Sequence, residues 1–110
     1  VKHRVYLILL ALADSDLHGL GIARAVRQLS DGRTRLWPAS LYGTLDELSE
    51  TGLIEELDDP RDRPARESEK KRFYRLSRAG QRALAAETDR LGALVKVARS
   101  RLKPRPGDGA

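Results

Sequence analysis

No cysteine occurs in the 110 residues. Its absence excludes a disulfide scaffold, a thiolate zinc site and a cysteine nucleophile, and it fits a reducing, cytoplasmic setting. Long apolar runs are missing too. The longest uncharged one, Val5 to Ala13, has nine residues and leads straight into Asp14-Ser15-Asp16. A membrane-spanning helix needs about 20, and a secretory signal needs a small-residue cleavage site after its apolar stretch. A buried helix is therefore expected there, and no membrane partner. Histidines are only two, His3 and His18, isolated from one another, which makes a poor metal site. No G-x-S-x-G setting and no glycine-rich phosphate loop occurs. An enzyme is not expected, and neither is a cofactor or a metal.

What the chain does have is charge, unevenly placed. Residues 1–60 carry six basic and ten acidic side chains, whereas residues 61–110 carry fifteen basic and six acidic ones. The whole is +5, with a pI near 10. A basic C-terminal half suggests an anionic partner such as nucleic acid. The length suits one small domain.

Punctuation and periodicity divide the chain. Lys2 to Ala13 is a helix apolar on every side, so something must cover its second face, and a partner subunit is one candidate. Leu20, Ile22, Ala23, Val26 and Leu29 mark the core face of a second helix that stops at Ser30-Asp31-Gly32. A third helix opens at Pro38, with Leu41, Leu45 and Leu48 inward, and ends at Thr51-Gly52. Leu53–Leu57 and Arg72–Ser77 read as the two strands of a hairpin. Between them runs the charged stretch Asp58 to Lys71. Ser77 is placed to cap a long final helix from Arg78 to about Leu102, with six alanines between 79 and 98. Leu84, Thr88, Leu91, Val95, Ala98 and Leu102 follow a heptad-like spacing along it. Pro104 and Pro106 prevent the helix from continuing, so residues 103–110 are expected to be a disordered tail.

The expected fold is mainly α with a small β-hairpin: a winged helix-turn-helix over residues 1–77, then a C-terminal dimerisation helix over 78–102. Three blocks sharpen this. They are Leu17-His18-Gly19-Leu20-Gly21-Ile22, then Ser40-Leu41-Tyr42-Gly43-Thr44-Leu45 with Leu48 and Thr51-Gly52-Leu53-Ile54, and finally Arg72-Phe73-Tyr74-Arg75-Leu76-Ser77 with Gly80. In this order, across roughly residues 5–90, the chain resembles the PadR family of bacterial transcriptional regulators, in its smaller subfamily with a single C-terminal helix. The resemblance implies a homodimer whose C-terminal helix packs across its partner. It also implies a near-palindromic double-stranded DNA operator that takes one recognition helix per half-site.

In helix-turn-helix proteins the second helix of the pair enters the major groove, and here that is the helix from Pro38. With its leucines inward, its outer arc holds Ala39, Gly43, Glu47 and Glu50, flanked by Ser40, Thr44 and Asp46. Ser40, Gly43 and Thr44 suit close approach to DNA. The Tyr42 phenol suits a phosphate contact or a packing role, and both readings stand. Asp46 and Glu47 depart from the family, where Lys or Arg is frequent, and acidic groups repel phosphates. DNA contacts then gather at the N-terminal end of the helix, or affinity is modest.

Arg33 and Arg35 precede the helix and suit a phosphate grip beside Trp37. The only tryptophan, Trp37 is read as a staple on the helix start or as the wall of a small-molecule pocket. Some relatives stack flat drugs between tryptophans of the last helix, but this last helix has none. Arg63, Arg66, Lys70 and Lys71, with Arg61 beside them and Arg72 at the base, form the expected electrostatic grip of the wing. Leu84, Leu91, Val95 and Leu102 form the expected dimer seam. The function expected is a sequence-specific DNA-binding regulator, a repressor acting as a homodimer. The alternative, kept alive by Asp46 and Glu47, is a winged-helix protein–protein interaction module. The operator sequence and any small-molecule effector cannot be read from these residues.

Overall fold

The computed structural model describes residues 2–57 and 72–104. Its elements run α1 His3–Asp14, β1 Leu17–His18, α2 Gly19–Leu29, α3 Pro38–Glu50, β2 Ile54–Leu57, β3 Phe73–Leu76 and α4 Arg78–Arg101. The three strands form one antiparallel sheet in the order β1-β3-β2. Leu17 lies opposite Tyr74, and Ile54 opposite Leu76. The winged-helix plan read from the sequence is present, with one correction. Leu17-His18, for which the sequence carries no strand expectation, is a third strand on the free edge of β3. Two residues are too few to show a strand period, so only the edge offered by β3 makes them one.

α1 lies at the centre. Leu7, Ile8, Leu9, Ala11 and Leu12 are all buried, and no single helix face could hold all five. α2, β3 and α4 pack around it, so the chain's own elements cover most of what a partner subunit was expected to cover. Ile22 and Val26 of α2, Leu41, Leu45 and Leu48 of α3, Ile54 and Tyr74 complete the core. Two expected members are absent from it. Leu20 and Leu29 of α2 are 58% and 48% exposed. The stripe of α2 is narrower than its apolar residues suggested.

Two capping devices fix the helix starts. His18 Nδ1 accepts a 2.8 Å hydrogen bond from the Gly21 N–H, while its ring tilts against Phe73 at 5.6 Å. Ser77 Oγ accepts from the Gly80 N–H at 3.0 Å and donates to the Gly52 carbonyl at 2.5 Å. Each satisfies a donor that the helix itself leaves open. Gly52, at φ +80°, makes the tight turn from α3 into β2, which L residues other than glycine adopt only under strain.

Tyr74 is wholly buried, and its hydroxyl has no hydrogen-bond partner among the described residues. Burial pushes its pKa up to about 12. An unfolded tyrosine ionises near 10, so the stability held by the neutral phenol is complete below pH 10. It is lost as pH rises through 12. Tyr74→Phe should melt within about 1 kcal/mol of wild type at neutral pH. Thermal melts between pH 10 and 12 should fall more steeply for wild type than for Y74F. Parallel curves would show that the phenol does not titrate as described.

Candidate nucleic-acid interface

Pro38 opens α3, with Trp37 as its N-cap residue. Because Leu41, Leu45 and Leu48 turn inward, Ala39, Ser40, Gly43, Asp46, Glu47 and Glu50 stand exposed. Gly43 has open space where a side chain would be. Ser40 Oγ accepts a 3.2 Å hydrogen bond from Arg4 Nη1, which brings a cation from α1 to the start of α3. The Thr44 hydroxyl donates to the Ser40 carbonyl at 2.9 Å, leaving its oxygen lone pairs and methyl group on the helix flank. The first two turns of α3 thus offer a small-residue ridge on which backbone and hydroxyls can come close to another surface.

Tyr42 is half-buried. Its ring lies so close over Gly19 that a Cβ there would fall 2.5 Å from the phenol oxygen. Packing is thereby part of its role, and it joins the starts of α2 and α3.

The acidic half of α3 has a specific arrangement. Arg72 bonds Glu56 at 2.7 Å and lies 3.5 Å from Asp46. The hydrogen bond to Glu56 holds the guanidinium above its ordinary pKa. Arg72, expected at the base of the wing's phosphate grip, is therefore engaged with two carboxylates. Asp46 is in turn directed at the sheet. Neither partner is an obvious neighbour in sequence, so this ion pair was not readable there. Glu47 stays exposed.

A model of one family matches residues 8–86, and its description is transcriptional regulator PadR-like family. The chain belongs to that family. Its regulators are not enzymes, and the chain carries their winged-helix DNA-binding fold. An uncharacterised 37.1 kDa protein in transposon TN4556 of Streptomyces fradiae is 38% identical over 88 residues, covering 80% of this chain. The chain spans about a quarter of the length of that relative, 23%. Among solved structures, a PadR family transcription regulator from Clostridium difficile R20291 superposes with a TM-score of 0.73 at 22% identity. The match covers 92% of this chain and 99% of that one. Bacillus subtilis PadR, solved in complex with operator DNA, gives a TM-score of 0.66 at 20% identity, covering 79% and 47%.

In this PadR-like chain Arg33 and Arg35 lie exposed in the segment before α3, and Arg35 sits 5.9 Å from the centre of the Trp37 ring. Trp37 is 65% exposed, so it does not act as a buried staple. Arg61, Arg63, Arg66, Lys70 and Lys71 fall outside the described residues, as do 105–110 of the expected tail. No group of three or more His, Asp or Glu among the described residues is placed to hold a metal. No described helix is long and apolar enough to cross a membrane.

α4 changes character along its 24 residues, about 36 Å of helix. Gly80 and Glu87 are buried and Leu84 half-buried against the core. Thr88 is tied to the Tyr6 hydroxyl at 2.9 Å. Arg90 bonds both Glu87 oxygens at 2.7 Å and holds that carboxylate below its usual pKa range. Beyond Leu91 the domain body ends, and Leu94, Val95, Val97 and Leu102 are exposed. Leu94 and Val97 lie outside the expected heptad spacing. A wheel drawn at about 100° per residue would have put Leu94 beside Leu91 and Ala98.

Proposed function

We propose that the chain is a homodimeric, sequence-specific DNA-binding regulator, a repressor, that sets one α3 into the major groove of each half of a near-palindromic operator. The observation that carries this is the exposed α3 ridge of Ala39, Ser40 and Gly43, with half-buried Thr44 on its flank, beside an Asp46 that lies 3.5 Å from Arg72. The Arg72 cation offsets part of the repulsion that Asp46 would exert on phosphates, which weakens the case for a purely protein-binding module. That Bacillus subtilis PadR, of the same fold, was solved with operator DNA supports the same reading. In this proposal residues 1–77 form the DNA-binding unit and 78–102 the dimerisation helix. Ser40, Tyr42, Gly43 and Thr44 contact the groove, with Arg33 and Arg35 on flanking phosphates. Arg63, Arg66, Lys70 and Lys71 grip the backbone from the wing. Leu91, Val95 and Leu102 lie along the seam, with Leu84 at its start turned toward the chain's own core. The protein acts in the cytoplasm, where its DNA is.

Footprinting and anisotropy titrations on duplex from upstream of its own reading frame test the reading. Log affinity should fall linearly with log salt, by about 0.9 per phosphate neutralised. Neutralising Lys70 and Lys71 should weaken binding to all sequences and flatten that slope by roughly 0.9 for each phosphate that no longer meets a lysine. An unchanged slope removes the wing's grip, and no duplex binding at low salt removes the DNA reading.

A further inference from the structure

A groove of about 250 Å³ lies beside the start of α3, lined by Leu20, Ala23, Arg24, Arg27, Arg35, Leu36 and Trp37. Nothing in the DNA reading requires its apolar floor. Leu20 is 58% and Trp37 65% exposed, whereas Ile22 and Val26 of the same α2 are fully buried. Leu20, Arg24 and Arg27 share a face of α2 by their spacing of four and three. None of the ion pairs among the described residues engages Arg24, Arg27 or Arg35. Three guanidinium groups around an apolar notch complement a ligand that is anionic at its rim and apolar at its centre. Tryptophan and arginine together are also the side chains that dominate binding energy at protein interfaces. A sugar–phosphate backbone would satisfy the arginines but leave Leu20 and Trp37 with nothing apolar to cover them.

We propose that this groove docks an acidic segment of a partner protein, seating one bulky apolar side chain between Leu20 and Trp37 while its carboxylates meet Arg24, Arg27 and Arg35. The groove shares Arg35 with the proposed phosphate contacts, whereas Arg24 and Arg27 are not among them, so those two separate this reading from operator binding.

Trp37 is the only tryptophan, so its fluorescence reports on the groove directly. The probe is a short peptide of aspartate and glutamate carrying one leucine and one phenylalanine. On the full chain it should shift Trp37 emission to the blue and saturate. Arg24→Glu with Arg27→Glu should weaken that binding about tenfold or more, equivalent to about 1.4 kcal/mol. Both positions are exposed, and an unchanged melting curve shows that the variant folds. Replacing the peptide's leucine and phenylalanine by serine should abolish the blue shift. Equal binding by the serine peptide would reduce the site to general charge attraction and overturn the proposal, as would no binding by the apolar one. Duplex DNA is the third probe. If it produces the blue shift and R24E/R27E removes duplex binding while the peptide is indifferent to the change, the groove belongs to the DNA interface instead.

Discussion

Gly80→Ala should destabilise the fold by about 3 kcal/mol or more, whereas Gly92→Ala, twelve residues along the same helix, should stabilise it slightly. Both changes gain the same helix propensity, up to about 1 kcal/mol. They differ in what the new methyl group meets. At Gly92 nothing lies within 4 Å. At Gly80 the methyl would run into the Leu53 carbonyl oxygen and come within 2.7 Å of Leu76 Cδ1. That carbonyl cannot simply retreat. It accepts the Ser77 N–H at 3.2 Å, and Ser77 also ties Gly52 to the first turn of α4. Relief of the clash would pull the cap, the α3–β2 turn and the helix apart together, which places the cost at or above the usual overpacking range of about 1–3 kcal/mol. In a domain of this size each kcal/mol moves the melting temperature by roughly 4–8 °C. Thermal melts at one fixed protein concentration check it. Equal melting of the two variants would mean that α4 does not seat on Leu53 as described.

The packing around Gly80 also shows what could be read from residues alone. Ser77 was legible as a cap because the chemistry of an N-cap is local. The leucine stripe of α3 was legible because its period is local too. The outer ridge of Ser40, Gly43 and Thr44 follows from that stripe. Interactions across the fold were not legible. Asp46 meets Arg72, and Arg4 meets Ser40, only after the sheet and α1 have placed them. β1 owes its existence to an edge formed by residues 73–76. Leu20 has the spacing of a core residue but sits on the far rim of its face, next to Trp37. His18 was readable as a poor metal ligand, but not as the cap of α2, because histidine is not among the side chains that ordinarily cap.

Leu94→Asp with Val95→Asp should convert the proposed dimer to a monomer by sedimentation, with loss of helix content confined to the projecting end of α4. In a single chain these side chains are 53% and 50% exposed, so charge placed there costs the monomer little. The first half of α4 shows what its stripe is for. Gly80, Leu84 and Glu87 lie along the side of the helix that meets the core, and at 3.6 residues per turn Leu91, Leu94, Val95, Ala98 and Leu102 continue it. The stripe runs on after the body it packs against has stopped. Isolated helix in water is marginal at such lengths, so the projecting half needs a second surface, and in the proposed dimer another copy supplies an identical one. Burial of these side chains is worth several kcal/mol in two copies, and a pair of carboxylates facing another pair cancels it. Loss of the dimer also separates the two α3 helices, so the second half-site no longer binds intramolecularly. Affinity for a duplex with both half-sites should drop by about 100-fold or more, while affinity for a single half-site stays as it was. A dimer that persists in L94D/V95D would move the proposed seam off α4. A monomer that keeps full operator affinity would remove the two-helix mode of binding.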